Sequence, residues 1–301
     1  MTKITVTFLG TTASIPTAKR NHPAVHLNYQ SYMEHNFLFD CGEGTQRQIF
    51  SSNVNFMRID HIFITHWHAD HFAGLFGLLE TMGLEKRKEP LHIYAPEADK
   101  FLERLLNLGY SSKPYEVIQH NVEFEGNEIQ ILLNESEFQI VSIPVKHGVP
   151  AVAYGFFEKN RLKVDKEQIE KLKLPSQGPF YKKIKEKGSA TFKGREYKLE
   201  ELCFVEKGKH VVYSGDTMPC RNIVKISKDA DLLIHDSTYF EDMKRKHSSL
   251  DQVIQLVKDA DAKQVILTHI SRRYQNEKEL EDKIKPLKNF RIAKDFMEVV
   301  I

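Results

Sequence analysis

Short runs in which apolar, β-branched and aromatic residues alternate with polar ones open the chain. KITVTFLGT (3–11), AVHLNY (24–29) and HNFLFDCG (35–42) predict strands. Helical spacing takes over in GTQRQIF (44–50), FAGLFGLLETMG (72–83) and EADKFLERLLNLG (97–109), with strands HIFIT (61–65) and EPLHIYAP (89–96) between them. YEVIQH (115–120), NEIQILLN (127–134), FQIVSIPV (138–145) and AVAYGFF (151–157) continue as strands. After an interruption the rhythm returns with CFVE (203–206), HVVYSGDT (210–217), ADLLIHDST (230–238) and the helix SLDQVIQLVKDADA (249–262). KQVILTHIS (263–271), a charged helix and the strand FMEVVI (296–301) close it. Two successive sets of strands and helices imply a layered α/β sandwich.

The interruption is also where charge collects. Between Glu158 and Lys198 there are 13 Lys and Arg against 6 Asp and Glu, so the rest of the chain is net acidic although the whole carries only +2. A basic segment that breaks the strand rhythm points to an anionic partner. With 301 residues, 41% of them apolar, the chain is long enough for a substantial core. No run of 18 apolar residues marks a membrane span, and the N-terminus enters a strand without a signal-peptide layout. Cys41, Cys203 and Cys220 are too widely spaced for a disulfide framework or a CxxC metal site. A reducing cytoplasm is the expected setting.

The densest chemistry lies in FITHWHADHFAGL (63–75), where His66, His68, Asp70 and His71 fall within six positions. At a strand end residues i and i+2 point the same way, which lets His66 and His68 share one ion. Imidazole nitrogen suits zinc, and carboxylate oxygen suits zinc and harder ions. Open α/β sheets place their sites just past strand ends. That rule adds His147 after FQIVSIPV, Asp216 in HVVYSGDT and His269 in KQVILTHIS. His147 completes a three-nitrogen set with His66 and His68; Asp70, His71 and His269 form a second, and Asp216 is placed to bridge them. Seven ligands exceed one tetrahedral zinc site, so two Zn2+ per subunit are expected. Two such ions about 3.5–4 Å apart suit phosphoryl displacement.

These stretches resemble the metallo-β-lactamase superfamily and, within it, the ribonuclease Z family of tRNA 3′-processing endonucleases. The resemblance runs through TFLGTTASIPTAKRN, FLFDCGEGTQRQI, FITHWHADHFAGLFGLL, VKHGVPAVAYGF, SGDTMPC, LLIHDSTY, KHSS and LTHISRRY in the family's order. It implies an αβ/βα four-layer sandwich in one metallo-β-lactamase-like domain (1–301) with an inserted basic flexible arm (158–198). It implies removal of the 3′ trailer from precursor tRNA, leaving a tRNA 3′-hydroxyl and a trailer 5′-phosphate. Asp70 would be ligand and general base, and His247 the proton donor to the leaving oxygen. The family's loop motif matches at Arg20 and Asn21, expected to contact substrate, with Ala18 where the family has Lys. Gly178, Pro179, Lys182, Lys183 and Lys185 lie where the family's arm grips the tRNA elbow, a contact in which lysines neutralise phosphates without reading sequence. Asp236 replaces a family Glu, and Ser249 a family Thr. The family's arm serves the other subunit of a homodimer. The rival reading is a small-molecule hydrolase of the same superfamily acting on a lactone, thioester or cyclic phosphodiester, which would need no lysine-rich insertion.

Overall fold

Phe37 and Phe39 point to one side of their strand and Leu38 to the other, as the period of two requires. In the computed structural model, which describes residues 2–110, 113–241, 246–274 and 276–301, that alternation separates two layers of core. Leu38, Ile62 and Ile93 pack outward against Leu75, Leu78 and Met82 of the helix Leu75–Leu84 and against Leu102 and Leu105 of Ala98–Leu106. Each fully buried leucine contributes about 1.5–3 kcal/mol, so a few of them suffice to fix both helices. Inward, Phe63 lies 5.3 Å from Tyr154 and Phe39 6.1 Å from Tyr213, ring centre to ring centre, so aromatic residues fill the space between two sheets.

Apart from Phe138, Phe157 and Glu158 at the ends of two strands, both sheets belong to one compact unit, residues 1–134, 139–156 and 210–301. The first runs Glu298–Val300, Lys3–Gly10, Ala24–Gln30, Glu34–Phe39, His61–Phe63, Leu91–Ala95, Val117–Asn121. The second runs Phe290–Ile292, Val265–Thr268, Leu232–Asp236, His210–Tyr213, Val152–Glu158, Phe138–Pro144, Gln130–Asn134. The helix Leu250–Ala260 buries Leu250, Val253, Leu256, Val257 and Ala260, a single apolar stripe. The architecture is the expected αβ/βα sandwich.

Two local expectations change. The helix expected over 72–83 is two, Ala69–Phe72 and Leu75–Leu84. The break falls where Gly74 N–H donates to Cys41 O at 3.0 Å, and a Cβ on Gly74 would come within 2.1 Å of Gly42 O. Apolar periodicity carries no sign of such a backbone approach. The strand Cys203–Glu206 does not rejoin the large sheets; it pairs antiparallel with Arg161–Val164.

That pair lies in the second unit, residues 135–138 and 157–209. Here the hairpin Ser189–Phe192/Arg195–Lys198 turns through Lys193 and Gly194, both at positive φ, as a tight hairpin turn requires. Asp165 caps Lys166–Lys171 by accepting from the N–H groups of Glu167 and Gln168. Pro179 opens the helix Pro179–Lys187, with Gly178 as its cap. Phe180, Tyr181 and Ile184 bury one side of this helix in a core with Ile169, Tyr197 and Leu202, while Lys182, Lys183 and Lys185 stay exposed. Among the described residues no helix is long and apolar enough to cross a membrane.

Candidate metal centre

The strand His61–Phe63 runs on through Ile64 and Thr65 to His66, which is fully buried. Thr65 Oγ1 pairs with His66 Nδ1 at 3.0 Å, turning Nε2 towards His68 Nδ1 at 2.9 Å. His147 Nε2 lies 3.2 Å from the same His68 nitrogen, and its own Nδ1 pairs with Lys246 O at 3.0 Å. Asp216 completes the set, its Oδ2 3.7 Å from His66 Nε2. It is presented by Gly215, whose φ of 56° favours glycine and whose added Cβ would press on Thr65 at 2.7 Å. One ligand atom from each of His66, His68, His147 and Asp216 lies within 4.8 Å of the others.

Asp70, His71 and His269 form a second such group. Asp216 Oδ1 faces it, 3.4 Å from His71 Nε2 and 3.3 Å from His269 Nε2. Asp70 Oδ2 lies 3.4 Å from His269 Nε2 and 3.7 Å from His71 Nε2. The rings are again held from behind: His71 Nδ1 by Asp40 Oδ2 at 2.7 Å, His269 Nδ1 by Thr238 Oγ1 at 2.8 Å. One oxygen of Asp216 thus serves each group. His71 Nε2 and Asp216 Oδ1 are buried without a hydrogen-bond partner, a costly arrangement for polar atoms unless a cation lies between them. The donor set, imidazole nitrogen with carboxylate oxygen, fits a divalent metal.

Electrostatics agree with the geometry. Burial would push the Asp216 carboxyl up, but His269 and His71 hold it well below the usual carboxylate range. Burial would lower His71 and His269, yet Asp216 and the neighbouring carboxylates raise His71 and carry His269 up to about 10. His247 stands at the more open rim. Its Nδ1 is 3.1 Å from Asp236 Oδ2 and 3.7 Å from Asp216 Oδ2, and Asp236 raises it against its burial. The shorter Asp236 therefore reaches His247, while Thr238 donates to its other oxygen at 2.7 Å.

All seven expected ligands and His247 meet at this centre. Arg20 and Asn21 lie outside the ligand cluster, and their side chains make contacts within the chain. Arg20 Nη1 donates to Thr11 Oγ1 and to Ala293 O at 2.8 and 2.6 Å, with Glu277 3.6 Å from Nη2. Asn21 Nδ2 donates to Glu43 O at 2.9 Å. The motif's spacing did not reveal that its arginine is buried. Beside it, a cavity of about 350 Å³ is lined by Lys19, Arg272 and Tyr274 among others. Sequence reasoning missed Asp40, which accepts from Thr65 N–H at 2.8 Å and Tyr213 OH at 2.8 Å as well as holding His71. The strand-end rule that found Asp216 applies equally to Asp40, the residue that follows the strand Glu34–Phe39.

Paired sheets with a His/Asp cluster past their strand ends define a metal-dependent hydrolase of the metallo-β-lactamase fold. A family profile described as β-lactamase superfamily domain matches residues 191–270, and one described as anti-Pycsar protein Apyc1 matches 4–163. The ribonuclease Z of Archaeoglobus fulgidus is 37% identical over 98% of this chain and 97% of its own, and that of Methanococcus maripaludis 38% over 97% and 98%. The crystal structure of human tRNase Z, short form, superposes with a TM-score of 0.69 at 27% identity, covering 98% of both chains. The chain belongs to the ribonuclease Z family.

Proposed function

We propose that the protein is an endonuclease that removes the 3′ trailer from precursor tRNA, using two zinc ions. The observation that carries this reading is similarity to proteins named ribonuclease Z along nearly the whole chain, insertion included. Two divalent ions in such a centre activate water and neutralise charge on the attacking and leaving oxygens. His66, His68 and His147 would hold one ion, Asp70, His71 and His269 the other, with Asp216 shared. Asp70 is the base that takes the proton from water, and His247, backed by Asp236, supplies one to the O3′ of the tRNA as its bond to phosphorus breaks. That polarity of attack leaves a 3′-hydroxyl on the tRNA and a 5′-phosphate on the trailer. Gly178 and Pro179 seat the helix whose exposed Lys182, Lys183 and Lys185 meet backbone phosphates of folded RNA. Three free cysteines accord with a cytoplasmic setting.

His247→Ala tests the proton-donor role. Turnover on precursor tRNA should fall by roughly 10²–10⁴-fold. The loss should shrink on a nitrophenyl phosphodiester, whose leaving group needs no proton, and zinc content should hold. Equal losses on both substrates would assign His247 to the site's architecture instead.

We further propose a homodimer. Phe50 and Leu84 are 62% and 81% exposed, large apolar side chains that a second subunit would cover. Sedimentation returning only a 34.9 kDa species would overturn the dimer.

A further inference from the structure

The loop from Thr11 to Asn21 delivers one backbone group to the centre: Ser14 N–H donates to Asp70 Oδ2 at 2.9 Å. This is the same oxygen that approaches His269 and His71. Ser14 holds a φ of 53°, a left-handed conformation that costs a residue other than glycine roughly 1–3 kcal/mol and survives only where its surroundings enforce it.

Thr12 and Ala13 pair with Ile270 and Ser271, and Ser14 O meets His22 Nε2 at 3.2 Å, while the base of the loop is held from the far end of the chain. Asp295 Oδ1 accepts from Thr11 Oγ1 at 2.7 Å, and Oδ2 accepts from Asn21 N–H at 2.7 Å and Gln48 Nε2 at 2.9 Å. Thr11 Oγ1 in turn accepts from Arg20, while Thr11 and Thr12 N–H both donate to Asn21 O, at 2.9 and 3.0 Å. The base of the loop is therefore closed on one carboxylate. We infer that Asp295 is a positioning residue for the reaction: through Thr11, Arg20 and Asn21 it fixes the loop whose Ser14 N–H aims Asp70 at the metal centre. This gives the motif residues Arg20 and Asn21 a task that their contacts within the chain leave open, and it rests on the reading of Asp70 as ligand and base.

The test uses the full-length zinc-loaded protein with a nitrophenyl phosphodiester for turnover and chelator competition for zinc affinity. Asp295→Ala should lose roughly 10–100-fold in turnover and in affinity for the weaker zinc, the range found when a group supporting a metal ligand is removed. Asp295→Asn, which keeps an oxygen towards Asn21 N–H and Gln48, should recover most of both. In an Asp70→Ala background, Asp295→Ala should change zinc affinity no further, because its effect travels through Asp70. If Asp295→Ala folds poorly, Thr11→Val cuts the same link at nearly constant volume and should show the same losses. Unchanged turnover and affinity with a shifted melting temperature, or an undiminished effect without Asp70, would overturn the inference. Should Asp70→Ala itself retain turnover and zinc, the reading of Asp70 fails, a result distinct from any outcome at Asp295.

Discussion

Asp216→Asn is expected to leave the protein with fewer than two zinc ions and with turnover on precursor tRNA lowered at least 10³-fold, about 4 kcal/mol of barrier. The reason is the division of labour within one side chain. Oδ2 faces His66, and Oδ1 faces His71 and His269, so an amide that presents NH2 on one side opposes a cation there. The wild-type protein should carry two equivalents by elemental analysis and lose activity to a chelator. RNA binding should survive, because it is assigned to lysines of the other unit. A variant that kept two equivalents and near wild-type turnover would refute the shared-carboxylate centre.

Lys182, Lys183 and Lys185 replaced together by alanine should separate RNA processing from chemistry. All three are exposed, and the neighbours that build the core, Phe180, Tyr181 and Ile184, are untouched, so folding should be unaffected. Each lost phosphate contact should flatten the salt dependence of precursor-tRNA binding by roughly 0.7–0.9 in slope, about 2–3 units if all three are lost. Cleavage of precursor tRNA should weaken through KM by tenfold or more, while hydrolysis of a nitrophenyl phosphodiester continues, since every ligand remains. Unaltered tRNA binding across salt concentrations would remove these lysines from the interface and favour the small-substrate reading.

The ligands were legible because strand-end chemistry recurs after apolar runs that the sequence displays. His66, His68, His147, Asp216 and His269 each stand just beyond an apolar run. What supports them was not legible. Asp40 meets His71 across 31 residues and Tyr213 across 173, and no local pattern records such a pairing. Arg20 matched a family motif, yet only the fold shows its guanidinium turned inward onto Ala293 O. The break at Gly74 depends on a carbonyl from residue 42. The basic segment looked like an interruption because its elements are short, and its core of Phe180, Ile184 and Tyr197 is assembled across turns that periodicity cannot bridge.

The place where that segment leaves and rejoins the sheet bears on how the chain folds. Val152–Glu158 and His210–Tyr213 are neighbours in the second sheet, although roughly 50 residues separate them, a closure costing about 2 kcal/mol more than a tight turn would. Glu158 N–H donates to Lys209 O at 2.9 Å, and Lys209 N–H donates to Glu158 Oε2 at 3.0 Å, so the segment's two ends are already tied together within its own unit. Its small core thus meets the chain entropy of bringing those strands together. The sheet that carries His147 and Asp216 inherits a loop whose effective length is a few residues.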